Sequence, residues 1–134
     1  MKLVAGFGCR QGCPADRLGS LLIDTLARFN LQGADLIGIA SLDIKRDEPG
    51  LLELAEQLQL PLHFFSAEQL KPFEPQLSHR SALAFTHSGC HGVAESAALA
   101  LAQQLSDRPV TLQVTRQKNT QATLALAQVA RNPR

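Results

Sequence analysis

The sequence predicts an α/β domain: a three-layer α/β/α sandwich around a mainly parallel sheet, with an antiparallel hairpin at the C-terminal end. Three observations carry this. Two short, almost wholly apolar runs, Lys2 to Phe7 and Asp35 to Leu42, flank a segment with helical periodicity, which is the pattern of a βαβ unit. Leu occurs 23 times and Ala 18 times in 134 residues, and both are strong helix formers. Near the C-terminus, Val110, Leu112 and Val114 alternate with Thr111, Gln113 and Thr115, the period-two pattern of a half-buried strand. The length suits one domain spanning residues 1–134, since domains most often hold about 100–150 residues.

Each element has a local reason. The first strand, Lys2 to Phe7, gives way to a loop at Gly6 and Gly8. Pro14 suits the first position of the following helix, because its missing N–H has no partner there in any case. Leu18, Leu21, Leu22, Leu26 and Phe29 form one apolar stripe over a helix from Pro14 to Phe29; Asn30 and Gly33 stop it. Asp35 to Leu42 shows so little polar alternation that burial on both faces is expected, and the crossover linking it to the first strand is right-handed. Pro49 opens a second helix, Gly50 to Leu58, burying Leu51, Leu54, Ala55 and Leu58. Leu60 to Phe65 is a third strand. Ser66 and Gln69 have capping-box spacing, so a short helix begins at Ser66 and ends at Pro72 and Pro75, before an irregular stretch from Lys71 to Arg80. Ser81 to His87 suits helix or strand. Val93, Ala97, Leu101 and Leu105 share a face of the next helix, with Ala94 and Ala98 beside them, and the alanines allow close approach to the sheet. Val110 to Thr115 and Ala122 to Val129 then pair through the polar turn Arg116 to Gln121, although Ala122 to Val129 also suits a terminal helix.

Composition excludes several function classes. Hydrophobic residues make up 45% and charged residues 19%, which excludes a disordered tail. No apolar run approaches the ~20 residues that cross a bilayer. Thirteen Lys plus Arg against twelve Asp plus Glu leave a charge of +1, giving no global attraction to nucleic acid. Six Phe are the only aromatics, too few for a base-stacking platform. The three cysteines, Cys9, Cys13 and Cys90, cannot all pair. With no signal-peptide pattern after Lys2, a reducing cytoplasmic location is expected.

In open α/β sheets, ligands bind beyond the carboxyl ends of the strands, and three loops fall there. The first, Gly6-x-Gly8-x-x-x-Gly12, is one residue too long for a dinucleotide fingerprint and lacks the Gly-Lys-Ser/Thr ending of a P-loop. Free amides at a helix start still attract an anion, which would use Gly8, Cys9 and Gly12, with Arg10 adding a fork of donors for a carboxylate; a plain tight turn is the alternative. The second loop holds Asp43, Lys45, Arg46, Asp47 and Glu48. Asp43 or Glu48 would take a proton and Lys45 would bind a carboxylate, unless the run is simply a solvated face. The third is Thr86 to Gly92: Ser88 and Gly89 suit a second anion, and His87, His91 and Glu95 suit acid/base work, while Glu95 also favours the positive end of its helix.

Other chemistries are poorly supported. The spacings Cys-x3-Cys and His-x2-Cys-His are not the compact pairs of common zinc sites, so no metal and no cofactor is expected. No signature supports a Cys90 or Cys9 nucleophile with His87 or His91, and a serine elbow is absent. His63 suits a packed strand position and His79 a polar connection. Arg116-Gln117-Lys118-Asn119-Thr120 is a basic turn; folded over the sheet end, Arg116 and Lys118 would enlarge a positive cleft.

Several segments together resemble a known family: Gly6-x-Gly8-Cys9-Arg10-x-Gly12, Asp43-x-Lys45-x-Asp47-Glu48-Pro49-Gly50-Leu51, Pro61-Leu62-x-Phe64-Phe65-Ser66-Ala67-Glu68-x-Leu70, Val93-Ala94-Glu95-x-Ala97-Ala98 and Lys118. In this order they resemble the CobE / CbiG C-terminal domain family of cobalamin biosynthesis, most like the standalone CobE form of the aerobic route. Longer relatives resemble cobalt-precorrin-5A hydrolases and carry an additional N-terminal region. Position 13 is Cys where relatives commonly have Ser.

The resemblance implies a cytoplasmic α/β domain acting on corrin-ring intermediates. Such rings are broad, apolar and edged with carboxylates. A cleft lined by helix N-termini with Arg10, Lys45, Arg116 and Lys118 suits that rim. Two classes of function follow. One is binding of an anionic corrinoid or precorrin intermediate such as hydrogenobyrinic acid, as a carrier between enzymes of the cobalamin pathway. The other is a precorrin-processing enzyme, hydrolysing a lactone or isomerising the ring, with Asp43, Glu48, His87, His91 and Glu95 as candidate acids and bases. The corrinoid and pathway enzymes are the expected partners; neither nucleic acid nor membrane is.

Overall fold

A computed structural model describes residues 1–78 and 92–131. The chain builds a five-stranded mixed sheet from β1 (Leu3–Cys9), β2 (Leu36–Leu42), β3 (Leu62–Phe65), β4 (Leu112–Lys118) and β5 (Ala122–Gln128). Strand order is β3-β2-β1-β5-β4. β1 pairs in parallel with β2, and β2 with β3. β5 runs antiparallel to β1 along its full length, from Leu3 opposite Gln128 to Cys9 opposite Ala122, and β4 pairs antiparallel with β5. Four strands therefore point one way and β5 the other. The carboxyl ends of β1, β2, β3 and β4 all lie at one end of the sheet.

Among the described residues there are four α-helices: α1 (Ala15–Arg28), α2 (Pro49–Leu58), α3 (Ala67–Leu70) and α4 (Val93–Gln104). Alternation along the strands divides the core in two. Leu3, Ala5 and Phe7 of β1 and Leu124 and Leu126 of β5 pack with Leu18 and Leu22 of α1 and Leu51 and Leu54 of α2. Val4 of β1 and Ala125 and Ala127 of β5 pack instead with Ala94, Ala97, Ala98 and Leu101 of α4. The second face is lined by small side chains, so α4 comes very close to the sheet. A Cβ on Gly6 would lie 2.0 Å from the carbonyl oxygen of Ala94 and 2.5 Å from the amide nitrogen of Ala98. Residues 94–102 of α4 are buried all round, not along one stripe, as expected of a helix in the interior.

Several boundaries differ from the sequence expectation. Pro14 is the N-cap of α1, not its first helical residue. α1 and α2 each end in a left-handed residue, Asn30 (φ 57°) and Gln59 (φ 55°). The amide of Leu31 bonds back to Leu26 and that of Leu60 to Ala55, closing both helices in Schellman motifs without glycine. Phe29 and Leu58, at the C-terminal ends of the two helices, are 42% and 39% exposed. Ser66 forms the expected capping box with Gln69. Residues 71–76, expected to be irregular, form a 3-10 helix, since Pro72 sits in its first turn where no amide is required. Ala122–Gln128 is a strand, not a terminal helix. Arg116 and Lys118, read as part of a turn, belong to β4; the turn itself is residues 119–121, where Asn119 Oδ1 accepts from the amides of Gln121 and Ala122. The Ser81 to His87 segment lies outside the described residues, as do 132–134.

Candidate functional site at the carboxyl ends of the strands

The glycine loop leaves β1 at Cys9 and turns at once. Its shape comes from two backbone bonds, Arg10 N–H to Gln121 O at 2.9 Å and Cys13 N–H to Arg10 O at 3.1 Å. Gly12 at φ 81° is the position that needs glycine, because side chains are strained there. The Gly12 amide donates to Glu48 Oε1 at 2.7 Å. Glu48, only 7% exposed, is the N-cap of α2. Two residues on, Gly50 lies so close to the loop that a Cβ would sit 2.0 Å from the Cys13 carbonyl oxygen. The first two loops are thus keyed together. The anion held by the Gly12 amide is the protein's own carboxylate.

Lys45 belongs to the same cluster. It lies near enough to Cys9 to favour the thiolate, but burial dominates, and with Cys13 and Glu48 it pushes the Cys9 thiol up to about 11. Burial, then Glu48, also raises Cys13. Both sulfurs are protonated at neutral pH, the form that is neither nucleophile nor metal ligand. Arg10 is exposed, Lys45 and Asp43 half-buried, so all three reach solvent beside the keyed loops. Among the described residues no group of three His, Cys, Asp or Glu could hold a metal ion.

The far half of this edge comes from β4. Register aligns Lys118 with Thr123 and Thr123 with Gly8, a continuous row across three strands. Thr123 Oγ1 donates to the Gly8 carbonyl at 3.5 Å. A Cβ on Gly8 would lie 3.6 Å from the Cβ of Val93, so the N-terminus of α4 meets the same row. Behind it, Glu95 is 1% exposed. Its Oε1 accepts the Ser78 amide at 2.9 Å, and its Oε2 accepts the Ser78 hydroxyl and the Arg116 amide, the latter at 3.0 Å.

The structure therefore brings Gly8, Cys9, Arg10, Gly12, Asp43, Lys45, Glu48, Glu95, Arg116 and Lys118 to one end of the sheet. His87, Ser88, Gly89, Cys90 and His91 lie outside the described residues. Ser78 and Thr123 were not singled out from the sequence. Their signal is tertiary: each meets its partner across a large sequence separation. A cavity of about 360 Å³ lies elsewhere, between α1 and α2, lined by Pro14, Ala15, Asp16, Glu53 and Gln57. With two carboxylates and no cation in its lining, it does not suit an anion.

The family model described as cobalamin synthesis G C-terminus matches residues 3–127. The chain belongs to this family. As a member of the cobalamin synthesis G C-terminus family, it is 37% identical over 125 residues to protein CobE of Sinorhizobium sp, covering 93% of this chain and 79% of that protein. A crystal structure of CobE, described as a protein from the cobalamin (vitamin B12) biosynthetic pathway, superposes with a TM-score of 0.90 at 44% identity, covering 94% of this chain and 89% of the other. A cobalamin biosynthesis protein from Agrobacterium tumefaciens str. C58 gives a TM-score of 0.70 at 29% identity, covering 95% and 98%. The cobalt-precorrin-5A hydrolase of Salmonella typhimurium is 40% identical over 73 residues, but the match covers 54% of this chain and only 21% of the hydrolase. The protein is thus a cobalamin biosynthesis pathway protein of the CobE / CbiG C-terminal type. No described helix is long and apolar enough to cross a membrane.

Proposed function

We propose that the protein binds an anionic corrinoid intermediate, such as hydrogenobyrinic acid, by its carboxylate rim and passes it between enzymes of the aerobic cobalamin route. The observation that carries this reading is the gathering of Arg10, Lys45, Arg116 and Lys118 at the carboxyl edge of the sheet, two of them on the keyed loops and two on β4. Guanidinium and ammonium groups on separate elements match a ring whose carboxylates are spread around its periphery. The CobE relatives support the pathway.

Carriage is favoured over catalysis by the state of the carboxylates. Glu48 and Glu95, both candidate acid/base groups, are buried and accept backbone amides. A group so engaged is a poor proton shuttle. Processing of a precorrin lactone, as suggested by the hydrolase names of longer relatives, would fall to Asp43, His87 or His91.

Titration with hydrogenobyrinic acid, followed through the visible corrin bands, tests the reading. The parent protein binds stoichiometrically without altering the corrin, and Arg10→Ala and Lys45→Ala each weaken binding. Unchanged affinity in both variants rejects this placement of the rim, absence of binding by the parent rejects the corrinoid role, and turnover of a precorrin lactone selects the enzyme.

A further inference from the structure

β4 slips against β5 twice, once between Leu112 and Val114 and again between Val114 and Gln117, and the second slip lies beside α4. Val114 faces Leu126 and Gln117 faces Leu124, so three steps along β4 answer two along β5. Thr115 and Arg116 are therefore the bulged pair, opposite Ala125. A bulge leaves an amide out of the ladder and re-aims the side chains beside it. Here the Arg116 amide is taken by Glu95 Oε2. Among the described residues Ser78 also bonds to Glu95, through its amide to Oε1 and its hydroxyl to Oε2. Both carboxylate oxygens are thus engaged and the side chain has no freedom to turn.

We propose that Glu95 is a positioning residue: by holding the bulged amide of Arg116 against the first turn of α4, it sets the aim of the Arg116 side chain toward the carboxyl edge of the sheet. This rests on the corrinoid-binding reading above, and it assigns Glu95 a role other than acid or base. The carboxylate is suited to it. A neutral amide offers one acceptor oxygen, and its NH2 cannot accept the second set of donors. Glu95 also anchors Ser78 and is part of α4, so three chain segments register at one group. Such supporting partners hold ligand-contacting groups within the narrow tolerance that preorganised recognition needs. No proton moves in this role.

The test is a double-mutant cycle on hydrogenobyrinic acid affinity with Glu95→Gln and Arg116→Ala, joined to amide hydrogen exchange at Arg116 in the free protein. Glu95→Gln weakens binding about tenfold, the scale on which supporting partners act elsewhere. Arg116→Ala weakens it at least as much, and the double variant binds like Arg116→Ala alone. Exchange at the Arg116 amide is slow in the parent and at least about tenfold faster in Glu95→Ala, where no acceptor oxygen remains. Should Glu95→Gln fail to fold, Ser78→Ala loosens the carboxylate while keeping its charge; it gives a smaller loss that also disappears in the Arg116→Ala background. Losses that multiply in the double variant overturn the proposal, as does unchanged affinity in a folded Glu95→Gln or fast exchange in the parent. If the parent binds no corrin while the Arg116 amide remains protected, the corrinoid reading fails and Glu95 is a structural staple only.

Discussion

The Glu48 carboxylate accepts the amide of Gly12 at 2.7 Å across 36 residues of sequence. A glycine loop that would otherwise offer this amide to a ligand has it filled from within. The cost of leaving it empty gives the first prediction. Glu48→Ala removes a nearly buried charged acceptor from the amide of the exposed Gly12 and destabilises the fold by about 1–3 kcal/mol. Urea denaturation of parent and variant measures this. A midpoint unchanged in Glu48→Ala would show the bond to be dispensable.

The glycines give a rank order. Gly6→Ala drives a Cβ into the backbone of α4, 2.0 Å from Ala94 O and 2.5 Å from Ala98 N. Backbone cannot swing aside as a side chain can, so the loss is at least the about 1–3 kcal/mol of ordinary overpacking. Gly12→Ala meets no atom within 4 Å but must adopt φ 81°, a milder strain of about 1 kcal/mol. Gly19→Ala, inside α1, meets only Leu54 at 3.6 Å and gains about 0.5–1 kcal/mol from helix propensity. Thermal melts of the three variants should order them Gly19→Ala, Gly12→Ala, Gly6→Ala from most to least stable.

Cys9 predicts a pH dependence. Burial, opposed by Lys45, lifts its thiol from 9.0 to about 11. The folded state therefore holds its proton more tightly than the unfolded chain. The stability this contributes is complete below pH 9 and is lost as pH rises through about 11, following proton linkage. Alkylation of Cys9 in the folded protein by iodoacetamide, resolved by peptide mapping, should be slow at pH 7–8 and accelerate only toward the upper end of that window. Lys45→Ala removes the opposing positive charge and raises the thiol further, slowing alkylation again. Faster reaction in Lys45→Ala would contradict the assigned sign.

Salt should separate the carboxylate-rim contact from burial of the ring. Arg10 and Lys118 are exposed and Lys45 half-buried, so their attraction to a polyanion is screened over a Debye length of about 10 Å at 0.1 M salt. Corrin affinity should fall as salt rises, and the slope should be shallower in Arg10→Ala and in Lys118→Ala. Titrations at three ionic strengths decide it; an affinity indifferent to salt would place the binding energy on the ring face alone.

Much of the architecture was legible in local sequence. The apolar run of β1 and the leucine spacing of α1 each reflect an energy set within a few residues, and Ser66 with Gln69 announced its capping box. The same locality explains the misses. Phe29 and Leu58 fit their helical stripes by spacing, but each lies at the C-terminal end of its helix and stays exposed, which spacing does not specify. Arg116 and Lys118 read as turn because polar residues are usual there, yet both lie in β4, Lys118 paired with Thr123 and Arg116 in the bulge held by Glu95.

Sequence alone determined most of the helices and strands, that the chain folds as α/β, and which loops carry charge, because propensity and hydrophobic period act at short range; it left Ala122 to Val129 open between strand and helix. Only the tertiary structure decided what those charges do. Glu48 and Glu95 look like free acids along the chain, but close packing brings each one a backbone amide from 36 and 21 residues away. A buried carboxylate takes the donors that folding delivers to it, and no local pattern specifies which those will be.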